Sequence, residues 1–274
     1  MQRRREFMGS IATATALLAG CSSGATTDTQ PTGTNASSGP DTSTARSAAI
    51  ESVTPIAGWN GSDGSRTETT GFGRGANAIF AAETRSRVGD QGRAAIDATA
   101  VVYDETGKQY AWKQRHRQLE QTGGVGTVTW QAPFQFGTDQ FSRGQYRLEV
   151  STTDAVSGAD LGSASTDFAV REPLDPDEVA VVDKIHPATV STDESFDYGL
   201  RLHNVGDRDS SVVSSQSIKV GDGSFHDVSA TFAMNLPVDS IRAITVTDVS
   251  IPRPGTYTYR FDALDVTFQV EAEK

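Results

Sequence analysis

A single cysteine, Cys21, stands among 274 residues. No intrachain disulfide and no Cys-based zinc site can form, so a packed core must hold the fold. Long apolar runs are also missing. A bilayer-spanning helix needs about 18 or more apolar residues, and the one weakly apolar stretch, Ile11 to Gly20, is too short and sits at the N-terminus. Histidine is sparse: His116, His186, His203 and His226 include no pair at i, i+2 or i, i+4, so no two imidazoles share a face to hold a metal. No Gly-x-Ser-x-Gly elbow, P-loop or dinucleotide fingerprint occurs, so no cofactor is expected and no catalytic residue stands out. The net charge of −11 argues against nucleic acid as a partner.

What is present begins with an address. Arg3, Arg4 and Arg5 precede Glu6-Phe7-Met8, a short Ala/Thr/Leu-rich stretch, and then Leu18-Ala19-Gly20-Cys21. Arg4-Arg5-Glu6-Phe7-Met8 resembles the twin-arginine export signal, and Leu18-Ala19-Gly20-Cys21 resembles the lipobox of exported lipoproteins. These resemblances imply a signal peptide over 1–20, cleavage before Cys21 and a thioether-linked lipid there. The protein would then sit on the outer face of the cytoplasmic membrane, and the membrane would be its first partner. Loss of three Arg and one Glu leaves 21 Lys+Arg and 34 Asp+Glu, a net charge of −13. The signs are skewed internally, with 23 Asp to 12 Glu and 19 Arg to 5 Lys. That skew resembles proteins of salt-loving archaea. In molar salt the Debye length is about 3 Å, so such carboxylates hydrate and disperse the surface rather than steer distant ligands. Cation binding is the rival explanation.

Residues 22–48 are almost wholly Ser, Thr, Gly, Ala, Pro, Asn and Asp. They cannot bury a core, so 21–48 reads as a lipidated Cys followed by a disordered tether with a root-mean-square span of roughly 30 Å. Asn35-Ala36-Ser37 and Asn60-Gly61-Ser62 fit the N-glycosylation acceptor pattern.

Beyond Ala49 short alternating apolar runs are broken by Gly, Asp, Asn or Pro about every ten residues, which is all-β spacing. The first half predicts strands at Ile50–Ala57, Ala78–Ser86, Ala94–Asp104, Gln109–Glu120, Gly126–Ala132, Gln145–Thr152 and Ser163–Val170, with a hairpin turn at Asp104-Glu105-Thr106-Gly107. The second predicts Val179–Ile185, Ser195–Asn204, Asp209–Val220, Asp227–Phe232, Ile241–Ser250, Thr256–Asp262 and Val266–Glu271. Seven strands per half fit two tandem immunoglobulin-like β-sandwiches. An internal echo agrees: Gly144, Tyr146, Leu148 and Val150 precede Phe168 and Val170, as Gly255, Tyr257, Tyr259 and Phe261 precede Phe268 and Val270. Tyr146 and Tyr257 are candidate corner tyrosines.

Arg171-Glu172-Pro173-Leu174-Asp175-Pro176-Asp177-Glu178 favours a stiff extended link crossed by few contacts. The expected domains are therefore 49–171 and 179–274, joined by 172–178. Phe196, Tyr198, Leu200 and Leu202 running into Asn204-Val205-Gly206-Asp207, followed by Pro254-Gly255-Thr256-Tyr257, make the second half resemble CARDB-like surface modules. The resemblance implies a structural or adhesive domain and carries no catalytic residues.

Lys113, Arg115 and Arg117 alternate along one predicted strand and share a face. They form either a docking strip for an anionic surface protein, glycan or headgroup, or a solvated outer sheet face. Trp59, in the predicted loop Gly58-Trp59-Asn60-Gly61, is a candidate exposed stacking residue, whereas Trp130 beside Val128 reads as core. Asp175, Asp177, Glu178, Asp207 and Asp209 offer oxygens of the kind calcium takes, at a spacing that matches no EF-hand. The reading that follows is a non-enzymatic, lipid-anchored surface module for binding, adhesion or spacing. The alternative is an accessory subunit of a surface enzyme or transporter with a ligand site in the first sandwich.

Overall fold

The computed structural model describes residues 48–60, 65–88, 93–120, 126–155 and 158–274. Its regular elements are strands and short 3-10 turns. The first sandwich comprises β1 (Ala48–Asn60), β2 (Ser65–Glu68), β3 (Gly71–Gly73), β4 (Asn77–Val88), β5 (Arg93–Asp104), β6 (Gln109–Glu120), β7 (Gly126–Gly137), β8 (Gly144–Asp154) and β9 (Asp160–Arg171). Sheet β2-β1-β4-β7 faces sheet β3-β9-β8-β5-β6. The second comprises β10 (Val179–Ile185), β11 (Thr189–Ser191), β12 (Ser195–Asn204), β13 (Ser210–Val220), β14 (His226–Leu236), β15 (Ile241–Ser250), β16 (Gly255–Phe261) and β17 (Val266–Glu273). Here β10-β12-β15 faces β11-β17-β16-β13-β14.

The strand orders are the same apart from the added β2, down to a short strand running parallel to the last one, β3 on β9 and β11 on β17. These are two immunoglobulin-like sandwiches of one topology. All fourteen expected strands are present, several to the residue. The strands β2, β3 and β11 were not expected, because segments of three or four residues such as Gly71-Phe72-Gly73 and Thr189-Val190-Ser191 carry no periodicity to read.

Two hydrophobic clusters form, one from Val53 to Val170 and one from Leu174 to Ala272. The first sets rings against small residues: Ala78, Phe80 and Ala82 on β4 pair with Phe136, Phe134 and Ala132 on β7, while Ala98 and Ala100 line β5. The recesses left by alanine admit Phe72, Phe80 and Phe168, whose edge-to-face contacts span 4.9–5.9 Å between centroids. Trp130 also lies in this cluster, 5% exposed. In the second, Tyr198, Tyr259, Phe261 and Phe268 form a continuous aromatic set.

Both candidate corner tyrosines take that role. Tyr146 donates to the Ser142 carbonyl at 2.9 Å and Tyr257 to the Arg253 carbonyl at 3.1 Å, each four residues upstream. Burial pushes both phenols above their ordinary pKa. Two residues earlier, Gly144 and Gly255 have φ of 153° and 143°, a region essentially reserved for glycine. The turn at 104–107 forms as well: the Asp104 carboxylate accepts bonds from Thr106 N, Thr106 Oγ1 and Lys108 N.

The segment 172–178 departs from expectation. It is pinned rather than free: Leu174 is 7% exposed within the second cluster, its N–H donates to the Ser211 carbonyl at 2.8 Å, and Pro176–Glu178 coils into a 3-10 turn. The approach to the turn is extended at Asp175 (φ −73°, ψ 156°), and Asp175 and Glu178 box the turn. Glu172 and Glu178 pair with Arg143 and Arg208, while Asp175 and Asp177 stay exposed.

Candidate functional site

The basic strip lies on edge strand β6, and the structure reverses the face on which a solvated reading would put it. Tyr110, at the start of the strand, packs against the first core. A bulge between Val102 and Tyr103 in the β5–β6 ladder shifts the register, so Ala100 pairs with Lys113, Ala98 with Arg115 and Ile96 with Arg117. Opposed residues of an antiparallel pair share a face, and Ile96, Ala98 and Ala100 are core. Positions 113, 115 and 117 therefore line the core-facing side of the sheet at its open margin. Lys113 and Arg115 are exposed there, and Lys113 Nζ stands 5.4 Å from the Phe136 ring on β7, the edge strand of the facing sheet. Inward charge on an edge strand guards the flank against pairing with another sheet, and it also presents cations along that flank. The Arg117 side chain lies outside the described part of the molecule.

Trp59 falls on β1, not in a loop, with its backbone paired to Arg66 of β2; its side chain and that of Asn60 are outside the described part. Cys21, Arg4, Arg5 and Asn35 lie outside the described residues.

A second polar concentration joins the sandwiches. Asp209 Oδ2 accepts Thr70 N at 2.6 Å and Thr70 Oγ1 at 2.9 Å, its Oδ1 accepts Val238 N at 2.9 Å, and its carbonyl accepts Arg171 Nη1 at 2.7 Å. Burial works to raise the Asp209 pKa, but the bonds from Val238 and Thr70 outweigh it and hold the carboxyl below its ordinary value. Beside it, Gly73 N donates to Ser211 Oγ at 2.7 Å and Ser211 Oγ donates to Asn235 Oδ1 at 2.7 Å. Asn235 Nδ2 completes the chain to the carbonyls of Asn77 at 2.8 Å and Ala57 at 3.3 Å. Ser211 and Asn235 are 0% and 4% exposed. Arg242, pushed below its ordinary pKa by burial, donates to the Asn235 carbonyl and packs on Gly58.

Arg208 ties down the connecting segment. It grips Glu178 with two bonds, Nε to Oε1 at 2.9 Å and Nη2 to Oε2 at 2.7 Å, and donates to the Glu172 and Pro173 carbonyls. The Arg208 hydrogen bond is the main cause of a lowered Glu178 pKa. Two of the five candidate calcium carboxylates, Glu178 and Asp209, are thus committed to protein donors. Among the described residues no group of three or more His, Cys, Asp or Glu is arranged to hold a metal. His186 stacks on Phe268 at 4.6 Å, and the buried Asn204 closes its own turn by accepting Gly206 N and donating to the Arg208 and Leu236 carbonyls.

Sequence reasoning missed Ser211 and Asn235. Ser211 stands at the start of a strand and Asn235 alternates outward on β14, so each reads as a solvated position until a second sandwich covers it.

No family model matches the chain, and no curated protein does. Solved structures similar to parts of it include an adhesin of Mobiluncus mulieris, 7% identical over 78% of this chain and 80% of that one, with a TM-score of 0.30. Others are the β-glucuronidase 2 of Bacteroides uniformis, 13% identical over 48% of this chain with a TM-score of 0.28, and the transglutaminase of red sea bream, 12% identical over 74% with a TM-score of 0.27. The chain spans 14% of the glucuronidase and 30% of the transglutaminase. At these scores the likenesses carry no argument about activity.

Proposed function

We propose that this chain is a non-enzymatic surface lipoprotein that presents two sandwiches outward from the membrane. Export follows from Arg4-Arg5 and anchoring from a lipid on Cys21; residues 21–48 are the tether, and 49–171 and 179–274 are the two domains. The observation that carries the reading is strand direction. β1 starts at Ala48, paired with Ser86, and reaches the junction at Ala57, whose carbonyl meets Asn235. β13 leaves the junction at Ser211 and runs away to Val220. The tether therefore enters at the end of the first sandwich farthest from the second. At about 3.3 Å per strand residue the pair reaches roughly 65 Å beyond it, which suits a spacer. Buried polar side chains such as Thr138, Asn204 and Asn235 are spent on holding architecture.

Lys113 and Arg115, with Arg117 on the same strand, are the docking candidate for an anionic surface protein or glycan; Trp59, on β1 of the other sheet, is a separate candidate stacking residue. The test is fractionation: Cys21→Ser should release the chain from membranes, and Arg4→Lys with Arg5→Lys should block its export. A Cys21→Ser protein that stays membrane-bound would overturn the anchoring.

A further inference from the structure

We infer that the two sandwiches form one rigid, cooperatively unfolding body rather than two beads on a linker. The first ground is the character of the contacts. Side chains of the second sandwich bond to backbone groups of the first: Asp209 to Thr70 N, Ser211 to Gly73 N, and Asn235 to the Ala57 and Asn77 carbonyls. These bonds reach three separate strands or strand ends, β1, β3 and β4, so no single rotation preserves them. They also form a connected relay, Gly73 N to Ser211 Oγ to Asn235 Oδ1, with the Asn235 amide continuing to Asn77. Any tilt that breaks one link leaves buried donors or acceptors unmatched until water enters.

The second ground is distance. A Cβ at Gly73 would lie 2.9 Å from Ser211 Cβ and 3.2 Å from Pro173 Cα, so the surfaces meet more closely than any side chain at that position would allow. The third ground is the segment that would have to act as a hinge. Glu172 and Pro173 have their carbonyls held by Arg208, Ser210 Oγ also donates to Glu172 O at 2.6 Å, and Leu174 is buried in the second core. A hinge needs backbone free to change φ and ψ, and here Glu172, Pro173, Leu174, Asp175 and Glu178 each have a backbone group held by a hydrogen bond. The inference is independent of anchoring at Cys21.

The test is made on the full chain. Residual dipolar couplings from both sandwiches should fit a single alignment tensor in the wild type. Trp59, Trp112 and Trp130 all precede the junction, so tryptophan fluorescence reports the first sandwich alone while far-UV circular dichroism reports both; the two melting curves should coincide. Asp209→Ala combined with Asn235→Ala should split the tensors and separate the curves. Two distinct wild-type tensors, separate wild-type transitions, or a folded double variant indistinguishable from wild type would each overturn the inference. Should the double variant not fold, the wild-type tensors and curves decide.

Discussion

Replacing Phe268 with Ala probes the second core at a ring that meets four others. Phe268 is 5% exposed and stacks on Tyr259 with centroids 5.2 Å apart and planes 7° apart. Its other face meets His186 at 4.6 Å, and Tyr198 and Phe261 stand at 5.3 and 6.2 Å. Truncating a ring so enclosed removes its transfer energy and leaves a cavity, at a cost of about 3 to 5 kcal/mol. That is a large part of the roughly 5 to 15 kcal/mol of a typical domain. At about 2 to 4 °C per kcal/mol for a body of this size, the melting temperature should fall by roughly 10 °C. Urea unfolding in constant molar KCl, followed by circular dichroism and extrapolated linearly, gives the magnitude. Phe268→Leu, which fills most of the space, should lose much less. Because the sandwiches unfold as one body, the tryptophan signal from the first should shift with it. A loss below about 1 kcal/mol would refute the packing argument, and an unmoved tryptophan transition would refute the coupling.

Four other outcomes follow from the same geometry. Tyr146→Phe and Tyr257→Phe should each cost about 1 kcal/mol, the net worth of one hydrogen bond to a backbone carbonyl, measured by urea unfolding; a neutral substitution would remove the corner from the energetics. Asp209 has a folded pKa below its unfolded value of about 3.9, so its stabilisation is complete above that value and is lost as pH falls through the lower folded one. Asp209→Asn should flatten the acid limb of the stability profile below about pH 4, and an unchanged limb would contradict the assignment. With a net charge of −11, self-repulsion should ease as KCl rises from millimolar to molar, and a melting temperature that does not rise would contradict the halophilic reading. Reversing Lys113, Arg115 and Arg117 to Glu should weaken capture of surface partners from native membranes in high salt while leaving circular dichroism unchanged; undiminished capture would return the strip to edge protection.

The sequence told most about what repeats and least about what meets across distance. β6, β10, β12 and β15 were legible end to end because alternation and turn residues are local. The corner tyrosines were legible because Gly144-x-Tyr146 and Gly255-x-Tyr257 recur before matching final strands. The inward face of Lys113 and Arg115 was not, since one bulged residue near Tyr110 reverses the side on which an alternating pattern sits and leaves no mark in composition. The junction was hidden for another reason: Gly73 and Ser211 are 138 residues apart and Asn77 and Asn235 are 158 apart. Serine and asparagine at strand ends look like solvated positions until another surface covers them. The prolines at 173 and 176 pointed to a stiff link but said nothing of Arg208, whose bonds to Glu178 and to the Glu172 and Pro173 carbonyls hold the segment against the second sandwich.

We propose that a lipid on Cys21 holds this two-sandwich body at the membrane. Mass spectrometry of the N-terminal peptide of the native, membrane-extracted protein tests it most directly. The expected peptide begins at Cys21 and carries a thioether-linked lipid on its sulfur; a chain that retains residues 1–20, or that begins elsewhere with Cys21 unmodified, would rule the anchor out.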